Sequence, residues 1–397
     1  KENRYGFFPS LSAAWILTNE PFMNLNAVSF AKLRASYGIT GINPYKNGRY
    51  PFCQFYVGGG YFPIGAAWNI YYGIQPGMLA NTDIKWETSK MLNIAFDLGL
   101  FDKFTLTTDF YIDNREDVLY INYNHPAVSG AVLPYENIGH IRNLGFDITA
   151  GYSKTTGDFK WYSNLVFSFI NNRIEEMGEA INPENLAHLN MTGNPVNAIY
   201  GYEVIGRFSS DGGAGIPVQT FGPTNEGDLI YKDQNNDDII DSRDITMIGN
   251  SVAPIDIGVR LGMSYKGFDV EAIIQGRFKN DIMLSGINIY EPFIYGNSVT
   301  EIALEDNFPR LSLSNMNNYQ PSDFWLRNGD FIKLRNIELG YNFPTVITEK
   351  LSMGEVRLFI RGLNLFAISA WKYTDPEMIS IGYSPMKTYY AGVKVVF

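Results

Sequence analysis

The chain has 397 residues, 31 basic against 41 acidic side chains, a formal net charge of −10 and one cysteine. Charged residues are only 18%, below the roughly 25% of an average soluble domain, while aromatics reach 15% (27 Phe, 26 Tyr, 6 Trp). With no basic cluster the surface needed to neutralise phosphates is missing, which excludes a nucleic-acid partner. Cys53 has no second cysteine to pair with and no Cys/His neighbour to share a zinc ion.

No apolar run approaches the roughly 18–20 residues of a membrane-spanning helix. Alternating strands, whose hydropathy averages out, are not excluded by that test. The chain begins Lys1-Glu2-Asn3, without a charged segment leading into an apolar one. Either a signal was removed or the chain is the later part of a longer polypeptide.

Taken in order, two weaker patterns near Ser10 to Leu17 and Ser29 to Tyr37 predict the first strands. From Leu92 the period of two is plain: Leu92, Ile94, Phe96 and Leu98 are apolar, and Asn93, Ala95, Asp97 and Gly99 are polar or small. Leu106, Phe110 and Ile112 alternate with Thr105, Thr107, Asp109, Tyr111 and Asp113. Leu144, Phe146, Ile148, Ala150 and Tyr152 alternate with Gly145, Asp147, Thr149, Gly151 and Ser153. In the clearest segment Ile255, Ile257, Val259, Leu261, Met263 and Tyr265 oppose Asp256, Gly258, Arg260, Gly262, Ser264 and Lys266. The last strand carries Tyr389, Ala391, Val393, Val395 and Phe397.

A soluble sandwich would show the same alternation. Length and glycine favour a transmembrane antiparallel β-barrel, an all-β fold: strands of about ten residues, tilted near 45°, span a bilayer core, and Gly258 and Gly262 on the polar face suit a wide, wet lumen. Connection lengths alternate in the same sense. Those around Phe101-Asp102-Lys103, from Lys154 to Asp158, at Lys266-Gly267 and from Pro344 to Gly354 are short. Those from Asn114 to Asn143, Asn171 to Ala253, Lys279 to Gly329 and Phe366 to Pro385 are long. Barrels place short turns in the periplasm and long loops outside, so the final strand runs inward and the C-terminus is periplasmic. Nine strands from Leu92 and two before it make eleven. Since a complete bacterial barrel has an even number, the expectation is the C-terminal portion of a larger one.

Within the long loop 171–253 the run 233–244 has ligand spacing. Oxygen side chains stand at positions 1, 3, 5, 9 and 12 (Asp233, Asn235, Asp237, Asp241, Asp244), with the Ile239 carbonyl at position 7, the order in which a twelve-residue loop wraps calcium. Ile240, at position 8, is the apolar tie to a core. Asp238 stands at position 6 in place of Gly, and Asp244 at position 12 in place of a bidentate Glu, which weakens the site. The expectation is a structural Ca2+ or Mg2+; the alternative is a solvated acidic turn.

His125, His140 and His188 lack carboxylate or Cys partners nearby in sequence, and Glu175-Glu176 and Asp237-Asp238 read as solvated or cation-binding pairs, not acid/base dyads. No nucleophile elbow, phosphate loop or dinucleotide fingerprint occurs, so neither an enzyme nor an organic cofactor is expected. Tyr61, Trp68, Tyr71, Tyr72 and Trp325 are candidates for stacking on a ligand or touching a lid, with loop packing as the alternative; Trp161, on an alternating strand, is expected at the lipid surface or interfacial belt. The polar-face set Asp147, Arg260, Lys266, Glu271, Arg277, Arg357 and Arg361 mixes signs and favours no ligand charge.

Several segments resemble, in order, the SusC/RagA type of TonB-dependent outer-membrane transporter of Bacteroidota. They are Asn3-Arg4-Tyr5-Gly6-Phe7-Phe8-Pro9-Ser10 with Trp15 and Glu20-Pro21-Phe22-Met23, then Leu33-Arg34-Ala35-Ser36-Tyr37-Gly38 with Thr40-Gly41-Ile42-Asn43. Trp86-Glu87, Asn143-Leu144-Gly145-Phe146-Asp147, Asn364-Leu365-Phe366, Asp375-Pro376-Glu377 and Gly392-Val393-Lys394-Val395-Val396-Phe397 follow. Across 1–397 the resemblance implies the later part of a barrel of about 22 strands with a plugged lumen, the plug, the TonB-contacting segment and the early strands lying elsewhere. It also implies import of oligosaccharides or peptides, a SusD-like lipoprotein lid, a homodimer of transporter–lid pairs, contact with outer-membrane lipid, and Phe397 as the insertion signal. The inserted Ser384 in Gly382-Tyr383-Ser384-Pro385 departs from the family pattern within a loop. A non-transporting adhesin or glycan-binding barrel, and a lid-less siderophore-type transporter, are the rival readings.

Overall fold

The computed structural model describes residues 2–23, 25–43, 50–64, 69–122, 132–179, 191–210, 215–284, 294–295, 298–299, 308–310, 316–350, 352–371, 375–378 and 385–396. One antiparallel sheet of eleven strands dominates it, every strand pairing with its neighbour in chain order. The strands are β1 (Ser10–Ile16), β2 (Val28–Ile42), β3 (Glu87–Leu100), β4 (Phe104–Ile121), β5 (Tyr135–Thr156) and β6 (Phe159–Glu176). They continue with β7 (Ile255–Tyr265), β8 (Phe268–Phe278), β9 (Phe331–Asn342), β10 (Glu355–Ser369) and β11 (Thr388–Val396). β1 and β11 are its two edges. No described helix is long and apolar enough to cross a membrane.

Strand number and direction agree with the alternation, but several strands run well beyond about ten residues at the long-loop end. β5 runs for 22 residues and β4 for 18, so what the sequence suggested as a loop from Asn114 to Asn143 is largely paired sheet. The reason is a register shift between Arg115 and Val118, with Asp117 at φ 59°, which absorbs a residue and lets the ladder resume. Hydrophobic alternation is interrupted there while hydrogen bonding is not.

Cross-strand register sorts the side chains into two continuous faces. On one, Ile94 opposes Phe110, Phe110 opposes Phe146 and Phe146 opposes Phe169, and the row continues to Ile255. These residues are not covered: Phe110 is 57% exposed, Ile360 56% and Val393 61%. On the other face Ala95 opposes Asp109, which opposes Asp147, then Ser168 and Asp256, then Arg277. An apolar surface of this extent on a water-facing sheet would aggregate, whereas a bilayer stabilises it.

At one end the strands are joined tightly. Lys266 and Gly267 both take positive φ (45° and 89°), the twist a two-residue hairpin requires. A Cβ at Gly267 would lie 2.7 Å from the Asn342 carbonyl oxygen, so only glycine fits. Aromatic rings line the apolar face at this end: Phe104 on Tyr152 (4.4 Å between centroids), Tyr152 on Trp161 (4.7 Å) and Phe268 on Tyr341 (4.5 Å). Trp161 thus stands in a ring belt, the arrangement of a membrane interface.

Val259, in the middle of β7, lies on the apolar face and Asp147 on the polar one. Val259→Arg in the folded barrel is expected to cost about 2–4 kcal/mol, the penalty of a cation near the bilayer midplane, and Asp147→Asn under 1 kcal/mol, as for most substitutions away from a buried core. Denaturant unfolding in lipid vesicles measures both. Equal costs would show that the faces do not differ in environment.

Candidate functional site

The polar face is an ordered ladder of ion pairs. Arg34 clamps Asp97 with two hydrogen bonds (2.8 and 3.0 Å) and reaches Asp109 at 3.3 Å. Asn93 donates to Asp109, Ser89 and Asn143 donate to Asp113, and Ser168 donates to Asp147. Farther along, Arg260 meets Glu271 at 2.7 Å, and the Tyr162 hydroxyl donates to the same carboxylate at 2.5 Å. Arg277 pairs with Asp256, Arg357 with Asp269 and Glu338, and Arg361 with Glu338 and the Tyr390 hydroxyl. The mixed-sign set expected on this face is there, each arginine holding a carboxylate. Lys266 is the exception: it belongs to the hairpin turn, its ammonium 5.3 Å from the Tyr265 ring.

A second feature sits where β9 meets the long-loop end. Lys333, 1% exposed, binds Asp375 at 2.5 Å and Glu377 at 3.1 Å, while Arg335 binds Glu377 and donates to Gln275. The segment Asp375-Pro376-Glu377 is thereby pinned to the sheet wall. Burial raises and Arg335 and Lys333 lower the Glu377 carboxyl, with a net fall. At the start of the chain Phe8 packs edge-on against Trp86, whose indole donates to the Arg4 carbonyl, so two of the segments carrying the resemblance meet in space.

The described parts of the loops after β6 and β8 build a collar with its own core. Tyr202, Leu229, Tyr231 and Ile240 are buried together, with Phe221 and Phe324 against them. Among the described residues three backbone bonds join the loops, Tyr202 N–H to the Pro321 carbonyl, Asp323 N–H to the Tyr202 carbonyl and Arg310 N–H to the Gly227 carbonyl. Asp228 is fully buried and is held by the Arg310 guanidinium at 2.9 and 3.0 Å and by the Asn318 amide. Buried Asn317 and Gln219 share the Leu229 carbonyl. Burial lifts the Tyr202 hydroxyl to about 12 and also raises the Asp323 carboxyl, which accepts from the Val204 N–H.

Trp325 is part of this core and not open to a ligand. It is 0% exposed, packs against Phe308, Tyr319 and Phe324, and donates its indole N–H to the Asn318 carbonyl. A tryptophan in a long loop reads as a stacking platform only while the loop's own core is invisible. Tyr71 and Tyr72 are exposed (54% and 68%) on a hairpin formed by Tyr56–Ile64 and Asn69–Pro76, where Tyr61 opposes Tyr72. Trp68 and Phe397 lie outside the described residues, as do His125 and His188; His140 sits in β5 opposite Glu176.

The acidic run 233–244 is tied to the collar by Ile240, which is 0% exposed, as its position 8 requires. Asn236 and Asp238 take positive φ (60° and 63°), so Asp238 adopts the conformation glycine would. The Asp233 carboxylate accepts from the N–H groups of Asn236, Asp237 and Asp238, and Asp244, buried, accepts from Gln234 and Asp241 as half of a capping box. Arg243 bridges Asp237 and Asp241 at 2.7 Å and holds the Asp241 carboxyl below its usual range, while burial lifts that of Asp244. Among the described residues no three carboxylate, His or Cys side chains converge as metal ligands. Sequence spacing gave no sign of Arg243 as the internal counter-ion.

Removing Arg310 leaves Asp228 buried without its cation, which costs roughly 3–5 kcal/mol for a fully buried pair and less here because Arg310 is partly exposed. Arg310→Ala is therefore expected to open the collar, seen as faster hydrogen exchange over 198–250 with the eleven-stranded sheet still protected. Unchanged exchange there would show that the pair does not hold the two loops together.

Residues 1–272 match the family described as "TonB dependent receptor-like, beta-barrel". TonB-dependent receptor P3 of Formosa agariphila is 27% identical over 405 residues, covering 95% of this chain and 39% of that relative. TonB-dependent receptor SusC of Bacteroides thetaiotaomicron is 25% identical, over 96% of this chain and 38% of its own length. In fold, the RagAB peptide importer in its "open-open" state superposes on 100% of the chain and 43% of its own, with a TM-score of 0.78 at 21% identity. The chain spans about two fifths of these relatives' length. By family match, sheet topology and the two-faced wall, it belongs to the TonB-dependent receptor β-barrels of the outer membrane, and it is similar in sequence to SusC and in fold to RagAB.

Proposed function

We propose that the chain forms the later wall and collar of an importer that carries oligosaccharides or peptides across the outer membrane, energised through TonB and closed outside by a SusD-like lipoprotein. The observation that carries this reading is the two-faced sheet: an exposed apolar side for lipid, and a polar side whose charges are satisfied by one another. Such a face solvates a polar cargo without a net field to trap it. The RagAB peptide importer, by name, supports peptide as cargo, and the similarity to SusC supports the transporter type whose resemblance implies oligosaccharide cargo and a lid. The short turns would face the periplasm and the collar the exterior, where the exposed Tyr71 and Tyr72 would contact a ligand or lid. The plug and TonB-contacting segment would come from sequence outside these 397 residues, and transporter–lid units would pair as dimers. No step requires catalysis by this chain.

Cells expressing the full-length transporter, given labelled oligosaccharide or peptide with and without a TonB-pathway inhibitor, are expected to accumulate label only when the pathway is active. Binding with no energy-dependent accumulation would point to an adhesin. Purification without a lipoprotein partner would favour a lid-less transporter of the siderophore type.

A structural cation in 233–244 is a second proposal, supported by the oxygen spacing and by positive φ at Asn236 and Asp238. Asp233, Asn235, Asp237, Asp241 and the Ile239 carbonyl would hold it once Arg243 swings out, with Asp244 turning from its cap. Calorimetric titration with Ca2+ and Mg2+ tests this. Arg243→Gln is expected to tighten binding at least tenfold, and no heat from either protein would leave Arg243 as the loop's sole counter-charge.

A further inference from the structure

The apolar face is not uniform. In one cross-strand row Leu98 opposes Leu106, Leu106 opposes Ala150 and Ala150 opposes Leu165. In the next row toward the short turns, Leu100, Phe104 and Tyr152 lead to Ser163, with Leu261 beyond it. Two small residues on adjacent strands, Ala150 of β5 and Ser163 of β6, therefore interrupt a wall of large ones and leave a groove of about 360 Å³. That falls at the lower end of the roughly 300–1,000 Å³ of small-molecule sites.

Depth and charge specify an occupant. The groove begins at the ring belt of Phe104, Tyr152 and Trp161 and extends away from the turns into the apolar zone. At its turn end stand two exposed lysines. Lys154 shares the face of Tyr152 and opposes Trp161, and the Lys103 carbonyl accepts from the Ser153 N–H beside Tyr152. Neither lysine has an ion-pair partner among the described residues, although exposed Asp102 and Asp158 occupy the same turns. Apolar volume below a ring belt, capped by free ammonium groups, matches one acyl chain with its phosphate at the interface.

We propose that the Ala150 groove is a binding site for an anionic glycerophospholipid of the short-turn leaflet, an acyl chain lying over Ala150 and Ser163 and the phosphate held by Lys103 and Lys154. The proposal rests on the apolar face meeting lipid. Native mass spectrometry of the full-length transporter, with equal phosphatidylglycerol and phosphatidylcholine added, tests it. Wild-type protein is expected to keep phosphatidylglycerol at collision energies that strip phosphatidylcholine. Ala150→Phe, which fills the groove, should lower that retained fraction at least fivefold. Lys103→Gln with Lys154→Gln should bring the preference for phosphatidylglycerol close to one while leaving the acyl groove intact. Equal retention of both lipids by wild type, or a retained lipid indifferent to both variants, overturns the site. So does a dimer that Ala150→Phe dissociates without loss of lipid, because the groove would then seat a second barrel. If Ala150→Phe does not assemble, the surface lysine pair decides alone. Failure of wild type to insert as a heat-modifiable barrel would instead overturn the membrane reading beneath it.

Discussion

The whole structure depends on strict register in an eleven-stranded ladder. Backbone N–H and C=O groups in hydrocarbon have no water to turn to, so each strand must pair along its length. Pairing alone is not enough. A slip of one residue would carry every leucine of a strand to the polar side and every carboxylate to the lipid side, so the cross-strand ion pairs and the aromatic rows enforce the same alignment from opposite faces. Arg34 reaching both Asp97 and Asp109 spans three strands, and Phe146 packs on Phe110, Phe167 and Phe169 on the other side.

Where register does shift, the extra residue is used. Between Leu334 and Asn336 β9 holds a bulge against both neighbours, matched on β10 by the Leu363 to Phe366 stretch, with Asn364 at φ 51°. The bulge frees Arg335 from the ladder count, so that Arg335 joins Lys333 at Glu377. Burying Lys333 is tolerable only because Asp375 and Glu377 come to it together. A loop segment 42 residues away in sequence is thereby fixed to the wall by one irregularity in it.

Sequence periodicity made the barrel strands and the sidedness of their connections legible, because a two-faced strand between lipid and water leaves a mark at every second residue. It left the long loops opaque. Their organisation rests on single residues far apart in sequence, such as Asp228 with Arg310 and Trp325 with Asn318, and such pairs have no period. Trp325 was a candidate ligand platform for the same reason: an indole in a loop carries the same letter whether it faces solvent or a core. In 233–244 the spacing showed which oxygens could converge and located Ile240 as the tie, yet Arg243 lay inside the run as a residue the spacing rule ignores.

The polar wall is neutralised from within. Three of its arginines are held twice, by a carboxylate and by an aromatic ring: Arg260 lies over Tyr162 at 5.6 Å while binding Glu271, and Arg357 and Arg361 flank Phe359 while binding Glu338. Side chains fixed in this way do not reach into the path, and their charges are spent on the wall. In the importer proposed above, a passing molecule would then meet many weak polar contacts and no deep charge well, which would favour transit over capture. In that importer, selection of cargo would fall instead to groups not committed to the wall, such as the exposed Tyr56 and Tyr71 of the hairpin formed by Tyr56–Ile64 and Asn69–Pro76.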